Sequence, residues 1–291
     1  MSRTILITGA NGKTGRAVVE AVSRTGAHVR AFIREEAQWP QLEGLGATSW
    51  SLGNMLDLAS ILKALQGCQA LIHIGPPMHA DERKITGHFI EAAQQTSLEQ
   101  FVYYSVMHPL RREVRHHRLK LDCEEDLIDS GLPYTILQPI RYMQHLEPIW
   151  RNVVRDGVHM MPFNTKVKFN VADLLDHAAA TAIVATEAGY LNGTYELAGP
   201  ESLSQEDMAG IISEVIKRPV KAQSISLKDL AAKAEANGVS SDRIEQMTIM
   251  NGHYDKYGFN GNPRVLNWIL GREATRFKDY VARLAHRDSS L

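Results

Sequence analysis

The run Thr4-Ile5-Leu6-Ile7-Thr8-Gly9-Ala10-Asn11-Gly12-Lys13-Thr14-Gly15-Arg16 constrains this chain more than any other stretch. A short β-branched and apolar segment enters three glycines spaced G-x-x-G-x-x-G. A helical pattern follows at once, with Ala17, Val18, Ala21 and Val22 on one face and Gly26 just past its end. A strand that turns through glycines straight into a helix is the opening of a dinucleotide-binding βαβ unit. Gly9 permits the tight turn, Gly12 lets backbone approach a pyrophosphate, and Gly15 lets the helix pack close to the strand. The phosphates would then meet unpaired N–H groups at the positive end of the helix. Gly12-Lys13-Thr14 also looks like the close of a nucleoside-triphosphate loop, G-x-x-x-x-G-K-[ST]. That reading fails on spacing, because only two residues separate Gly9 from Gly12, too few to wrap a β-phosphate.

Strand and helix patterns alternate through the first half. Ala27 to Ile33 reads as a second strand and Ala47 to Leu52 as a weaker third. Leu58, Ile61, Leu62 and Leu65 mark a helical face stopped by Gly67; Gln69 to Ile74 is a buried strand closed by Gly75-Pro76-Pro77. Ile85, Phe89, Ile90 and Ala93 mark the next helix, Phe101 to Val106 the next strand, and Val114 to Ser130 a helix ending at Gly131. Tyr134 to Gln138 is a sixth strand, closed by Pro139. This alternation predicts an α/β fold, a Rossmann-type doubly wound parallel sheet with helices on both faces. The second half is less regular. It predicts a helix over Val171 to Thr186 with Leu174, Leu175, Ala178 and Ala182 available for packing, and a short strand from Thr194 to Leu197. A capping-box start at Ser204-Gln205-Glu206-Asp207 opens a helix to about Lys217. A strand over Val220 to Ile225 and two further helices complete the pattern. The expected organisation is a dinucleotide-binding domain over 1–145, joined by 165–200, and a smaller C-terminal α/β substrate lobe from 146–164 and 201–291.

Composition narrows the class. A net charge of −1 provides no field favouring nucleic acid or anionic membranes, and the one basic run, Arg111 to Arg118, reads as a solvated loop and helix start. Two cysteines, Cys68 and Cys123, on helix-like segments, make no disulfide framework and read as small buried apolar residues in a reducing compartment. No segment approaches the length of a membrane span, and no signal-peptide pattern precedes the first strand, so a cytoplasmic protein is expected. Metal-ligand spacing and a G-x-S-x-G nucleophile elbow are both missing.

In this fold an acid near the end of the second strand accepts the ribose hydroxyls of NAD. Here Val29 to Ile33 ends in Arg34, whose guanidinium suits a 2′-phosphate, and Lys13 adds a second positive charge. Glu35 and Glu36 follow one and two residues late. NADP(H) is favoured over NAD(H); the bland alternative is a solvated strand-end arginine.

Several segments carry a resemblance: T-G-A-N-G-K-T-G-R at the start, Leu52 to Asp57, His73 to Pro77, Phe101 to Val106, His116 to Lys120, Tyr134 to Pro139, Gly193 to Pro200 and Asn260 to Pro263. Together they resemble the NmrA-like family of the atypical short-chain dehydrogenase/reductase superfamily, over nearly the whole chain. The resemblance implies a Rossmann domain, a small C-terminal substrate lobe and NADP(H) as the ligand. Members include NADPH-dependent reductases of quinones, dyes and other small molecules, and regulators that sense dinucleotide without known catalysis. It further implies that Gly9, Asn11, Gly12, Lys13, Thr14 and Gly15 cradle the pyrophosphate and that Arg34 meets the adenosine phosphate. Asn54 and Met55 would lie near adenine, with Asn54 standing where an acid is common. Ile74, Gly75 and Pro76 would line the adenine ribose and nicotinamide side, with Pro139 a further contact. Ser105 would lie near the nicotinamide, and Lys120 would reach its ribose.

Active short-chain dehydrogenases pair a serine with Y-x-x-x-K, because residues at i and i+4 share a helix face and the ammonium lowers the phenol pKa. This chain has His116-x-x-x-Lys120 and no tyrosine there. The candidate catalytic set is therefore Ser105, His116 and Lys120. His116 is chemically able to deliver a proton near neutral pH, but the bland reading of a solvated basic loop stands beside it. His79, after Gly75-Pro76-Pro77-Met78, and Tyr142, Met143 and His145, after the sixth strand, are candidate substrate contacts or lobe packing. Two functions remain open. One is an NADPH-dependent reductase of a small carbonyl, quinone or imine-like acceptor. The other is an NADP(H)-sensing regulator that binds a protein partner without turnover.

Overall fold

A computed structural model describes residues 3–289. Eleven strands are found among them: β1 Thr4–Ile7, β2 His28–Ile33, β3 Ser49–Leu52, β4 Ala70–His73, β5 Gln100–Tyr104, β6 Tyr134–Pro139, β7 Val158–Met161, β8 Lys168–Val171, β9 Gly193–Leu197, β10 Glu201–Ser204 and β11 Lys221–Ser224. The helices are α1 Lys13–Ser23, α2 Trp39–Gly44, α3 Leu58–Leu65, α4 Glu82–Gln94, α5 Arg115–Asp129, α6 Trp150–Asp156, α7 Leu174–Thr186, α8 Gln205–Ile216, α9 Leu227–Ala236, α10 Ser241–Tyr257, α11 Arg264–Leu270 and α12 Phe277–Ser289.

Seven strands form one sheet in the order β3-β2-β1-β4-β5-β6-β9. Pairing is parallel from β3 through β6, with Ile5 opposite Val29 on one side and Ala70 on the other. The order reverses between β1 and β4, which makes the crevice beyond their carboxyl ends the expected nucleotide position. The sheet's near-continuous apolar strands are buried on both faces, as crossover helices require. On one face Ile61 and Leu65 of α3, Ile85 and Phe89 of α4, and Cys123 and Leu127 of α5 pack with Leu71, Phe101 and Ile136.

The chain divides into two compact units. The first contains 1–111, 117–139 and 175–196; the second contains 112–116, 140–174 and 197–291. The expected boundary is thus shifted. Residues 140–145, 165–174 and 197–200 belong to the second unit, because β8 pairs antiparallel with β10 instead of joining the large sheet. β7 pairs with β11 in a second small sheet.

Other sequence expectations need correction. The buried stripe of α1 is Gly15, Val18, Val19 and Val22, rotated from the expected Ala17 and Ala21. Val171 ends a strand, α7 begins at Leu174, and Leu175 is exposed, while Leu174, Ala178 and Ala182 are buried as expected. Four helices follow β11 where two were expected. Cys68 lies in the turn after α3, not on a helix; both thiols are free and buried. The capping box at Ser204 forms, with Ser204 and Asp207 each satisfying the other's backbone N–H.

Candidate functional site

Parallel strands bring their carboxyl ends to one edge, so residues distant in sequence share it: Gly9 after β1, Arg34 after β2, Asn54 after β3, Ile74 to Pro76 after β4, Ser105 after β5, and Gln138 and Pro139 at the end of β6. Two glycines at the first of these turns have no room for a side chain. Gly9 has φ +60°, and a Cβ there would lie 2.6 Å from the Ile74 carbonyl oxygen. A Cβ on Gly15 would lie 2.1 Å from the Gly9 oxygen and 2.7 Å from the Ala10 Cα. Gly12 closes the turn by donating its N–H to the Gly9 carbonyl at 2.8 Å and is the N-cap of α1. No side chain caps that helix start and no acid lies in its first turn. A helix end left this way presents backbone donors and a positive dipole to an anion. The residues present therefore fit a pyrophosphate.

Arg34 is exposed at the end of β2, its backbone N–H bonded to Gln38 Oε1 at 3.2 Å. Its guanidinium makes no hydrogen bond or ion pair among the described residues, which leaves it able to take a phosphate. Asn54 is occupied in its own turn: its Oδ1 accepts the Leu56 N–H at 2.9 Å, and its backbone N–H bonds Ser60 Oγ. Met55 is half-buried beside it. Thr8 was not singled out from sequence, yet it ties β1 to β4. Its hydroxyl accepts the Ile74 N–H at 2.9 Å and lies 3.0 Å from His73 Nδ1. The Thr86 hydroxyl sits 3.3 Å from the other ring nitrogen of His73. Burial first, and then the Lys120 charge, push the His73 pKa down to about 3. That imidazole is neutral and serves as a hydrogen-bonded strut at the strand crossover.

Beyond His73 lies a cluster of buried polar groups. Lys120 Nζ donates to the Tyr104 carbonyl at 2.8 Å, stands 2.5 Å from Glu82 Oε1, and lies 5.0 Å from the centre of the Tyr103 ring. The Lys120 and Glu82 side chains are 7% and 1% exposed. A Cβ added to Gly75 would come within 3.4 Å of Glu82 Oε1 and 3.9 Å of Lys120 Nζ. The loop after β4 and the lysine are therefore neighbours. One helical turn beyond Lys120, Glu124 accepts a hydrogen bond from the Ser105 hydroxyl and two from Gln138 Nε2, each at 2.9 Å. Burial pushes the Glu124 carboxyl up, opposed by the bonds from Ser105 and Gln138 and by the Lys120 charge. Ser105 and Lys120 thus share one constellation with Glu82, Glu124 and Gln138.

The remaining candidates are more scattered. His116 stands in the first turn of α5, half-buried, four residues before Lys120, and is assigned to the second unit. His79 accepts the Asp81 N–H on Nδ1 at 3.1 Å at the entrance to α4. Pro139 accepts the Met107 N–H at 3.0 Å. In the second unit the Tyr142 and His145 rings stack at 6.0 Å, and Met143 is 2% exposed. No group of three or more metal-ligating side chains is assembled among the described residues. Among them, no helix is long and apolar enough to cross a membrane.

Comparisons with known proteins give the family and the fold. The profile of the NmrA-like family matches residues 1–283. Quinone oxidoreductase 2 of Escherichia coli is 26% identical over 96% of this chain and 98% of its own. Its structure complexed with NADPH superposes with a TM-score of 0.85 at 25% identity, covering 97% of this chain and 99% of that one. An NAD(P)H azoreductase from Xenophilus azovorans is 24% identical over 95% of this chain and 96% of its own. NmrA, a negative transcriptional regulator solved with NAD, shares the fold at 15% identity and a TM-score of 0.79, covering 100% of this chain and 98% of that one.

Proposed function

The chain belongs to the NmrA-like family, and from that premise we propose that it is an NADPH-dependent reductase of a small carbonyl, quinone or imine-like acceptor. The observation that carries the reading is the uncapped first turn of α1, set behind two glycines whose Cβ positions are already filled. That arrangement holds a diphosphate bridge. Arg34 adds the cation that separates NADPH from NADH. Lys120, fixed by Glu82 and the Tyr104 carbonyl, binds the ribose on the nicotinamide side.

When bound, NADPH supplies a hydride from C4 of its nicotinamide. The side chains of this protein orient the reactants and handle the accompanying proton. The Ser105 hydroxyl, at the end of β5, is held by Glu124 and is the proton donor assigned here. For turnover that hydroxyl turns toward the acceptor: with Glu124 protonated, as its burial favours, the carboxyl donates its proton to Ser105 Oγ while the Ser105 O–H proton passes to the acceptor, and Glu124 is then reprotonated from solvent. This pair does the work that the missing tyrosine four residues before Lys120 would otherwise do; His116 remains the competing donor. His79, Tyr142, Met143 and His145 are the candidates for acceptor contacts.

NADPH oxidation by purified protein should be followed against a panel of quinones, azo dyes, aldehydes and imines. Turnover with at least one class, reduced at least tenfold in Ser105→Ala, supports the reading. NADPH binding with no oxidation across the panel, together with NADPH-dependent retention of a protein partner, would replace it with the regulatory alternative.

A further inference from the structure

The second unit contains a cation that its own protein leaves unanswered. Arg141 follows β6 by two residues, and its backbone is pinned on both sides. The Arg141 carbonyl accepts the Ala172 N–H at 3.0 Å, and the Met143 N–H donates to the Ala172 carbonyl at 2.9 Å. The side chain therefore leaves a rigid base. Its guanidinium carbon lies 5.5 Å from the centre of the Phe163 ring. Phe163 is 1% exposed and packs on Phe169 with ring centres 4.6 Å apart. Among the described residues the guanidinium has no hydrogen-bond acceptor and no carboxylate within 4.0 Å. Burial pushes its pKa down to about 10, and the Tyr254 phenol is the one ionisable group acting against that fall.

Other arginines of the same unit meet carboxylates, while Arg112, Arg218, Arg243 and Arg264, which show none among the described residues, are exposed to water. Arg115 meets Asp242 at 2.6 Å, Arg276 meets Glu201 at 2.8 Å, Arg287 meets Glu147 at 3.0 Å, and Arg283 pairs with the buried Asp173. Acidic partners are available in this unit, yet none is placed at Arg141, which is half-buried against the Phe163 ring. His159, 4% exposed, does not serve as one: burial and the Arg141 charge push its pKa down to about 4. It is neutral, and its Nδ1 has no hydrogen-bond partner among the described residues. A planar fork of five donors on an aromatic wall, with no acceptor of its own, is complementary to an oxyanion. We propose that Arg141 is an anion receptor that binds the carboxylate or phosphate-monoester group of a small ligand. The low polarity of the Phe163 and Phe169 wall strengthens that pairing, and the fixed backbone lowers part of the ordering cost. The proposal does not depend on the hydride-transfer reading.

The test titrates full-length protein with acetate and with inorganic phosphate, using chloride at matched ionic strength as the control. The readouts are the Arg141 side-chain Nε–Hε resonance, identified by its loss in Arg141→Lys, and the thermal unfolding midpoint. A saturable shift of that resonance with acetate assigns a carboxylate ligand, and one with phosphate assigns a phosphate monoester. Arg141→Met should lose the acetate-dependent stabilisation while unfolding no earlier than wild type in chloride. Arg141→Lys, lacking the fork, should bind roughly tenfold more weakly or worse, and carries the comparison if the Met variant does not fold. Phosphate held by the glycine turn would persist in every variant and leave the Arg141 resonance still. The proposal is overturned if no oxyanion moves that resonance, or if Arg141→Met unfolds earlier and shows the wild-type response to acetate.

Discussion

The buried Lys120 of the first unit and the half-buried Arg141 of the second are handled in opposite ways. Lys120 in the first unit is enclosed with a carboxylate, a backbone carbonyl and an aromatic face. Arg141 in the second has only an aromatic face. A charge drawn out of water without a counter-charge is costly in proportion to its burial, and a buried matched pair such as Lys120 and Glu82 recovers much of that cost only while both members remain. The matched lysine is thus built into the fold before any ligand arrives. The unmatched arginine has chemistry left over for one. An internal partner does not stop a charge from also touching a ligand, as proposed for Lys120 and the ribose; it decides whether the charge is satisfied before the ligand arrives.

The largest expected effect breaks the first half of this contrast. Glu82→Gln strands Lys120 and should destabilise the protein by about 3–5 kcal/mol, read from urea unfolding. Glu82→Leu combined with Lys120→Met should recover most of that loss, since an apolar pair of similar volume needs no compensation. Arg141→Met should be neutral or stabilising in the same assay. A similar loss at both sites would mean that Arg141 is also internally satisfied.

Two buried histidines sharpen the comparison through pH. Burial pushes His73 in the first unit down to about 3 and His159 in the second down to about 4, both below the ordinary histidine value of 6.5. Because folding depresses these pKa values, the stability they contribute is present above pH 6.5. It is lost as pH falls, toward 3 for His73 and toward 4 for His159. Equilibrium unfolding across that window should show stability declining with acid, by on the order of 3–5 kcal/mol per histidine at the full shift. His73→Asn should flatten the decline; an unchanged slope would show that the His73 ring is charged in the native state. The smallest effect is at an exposed site. Arg34→Ala should weaken NADPH about tenfold to 100-fold and leave NADH unchanged, measured by calorimetry. Equal losses for both nucleotides would remove the 2′-phosphate role.

What could be read from sequence followed the same division. Glycines are informative because backbone conformation and close approach leave no substitute, so the turn from Gly9 to Gly15 was legible at once, and the alternating strands with it. Polar groups in the core gave no such signal. Glu82 opens a helix and reads as a solvated first-turn acid; nothing local says that α4 turns it inward to meet Lys120. Glu124 did leave a trace, four residues after Lys120 on one helix face, but acids at that spacing usually face water. Gln138 and Thr8 look like ordinary strand-end residues until the parallel sheet gathers their ends. The second unit was harder because its strands are short and pair non-sequentially: β7 with β11, and β8 with β10. Periodicity cannot signal such partners. The sequence pattern carries Val171 into the following helix for that reason, whereas it closes β8 beside Glu201.

The central claim is that this chain draws a hydride from NADPH. The most direct measurement is single-turnover oxidation of NADPH, with protium or deuterium at the transferred C4 position, in the presence of an acceptor that supports turnover. The account predicts slower decay of the nicotinamide absorbance with deuterium, in wild type and in Ser105→Ala alike. Saturable NADPH binding with no oxidation in the presence of any acceptor would contradict it.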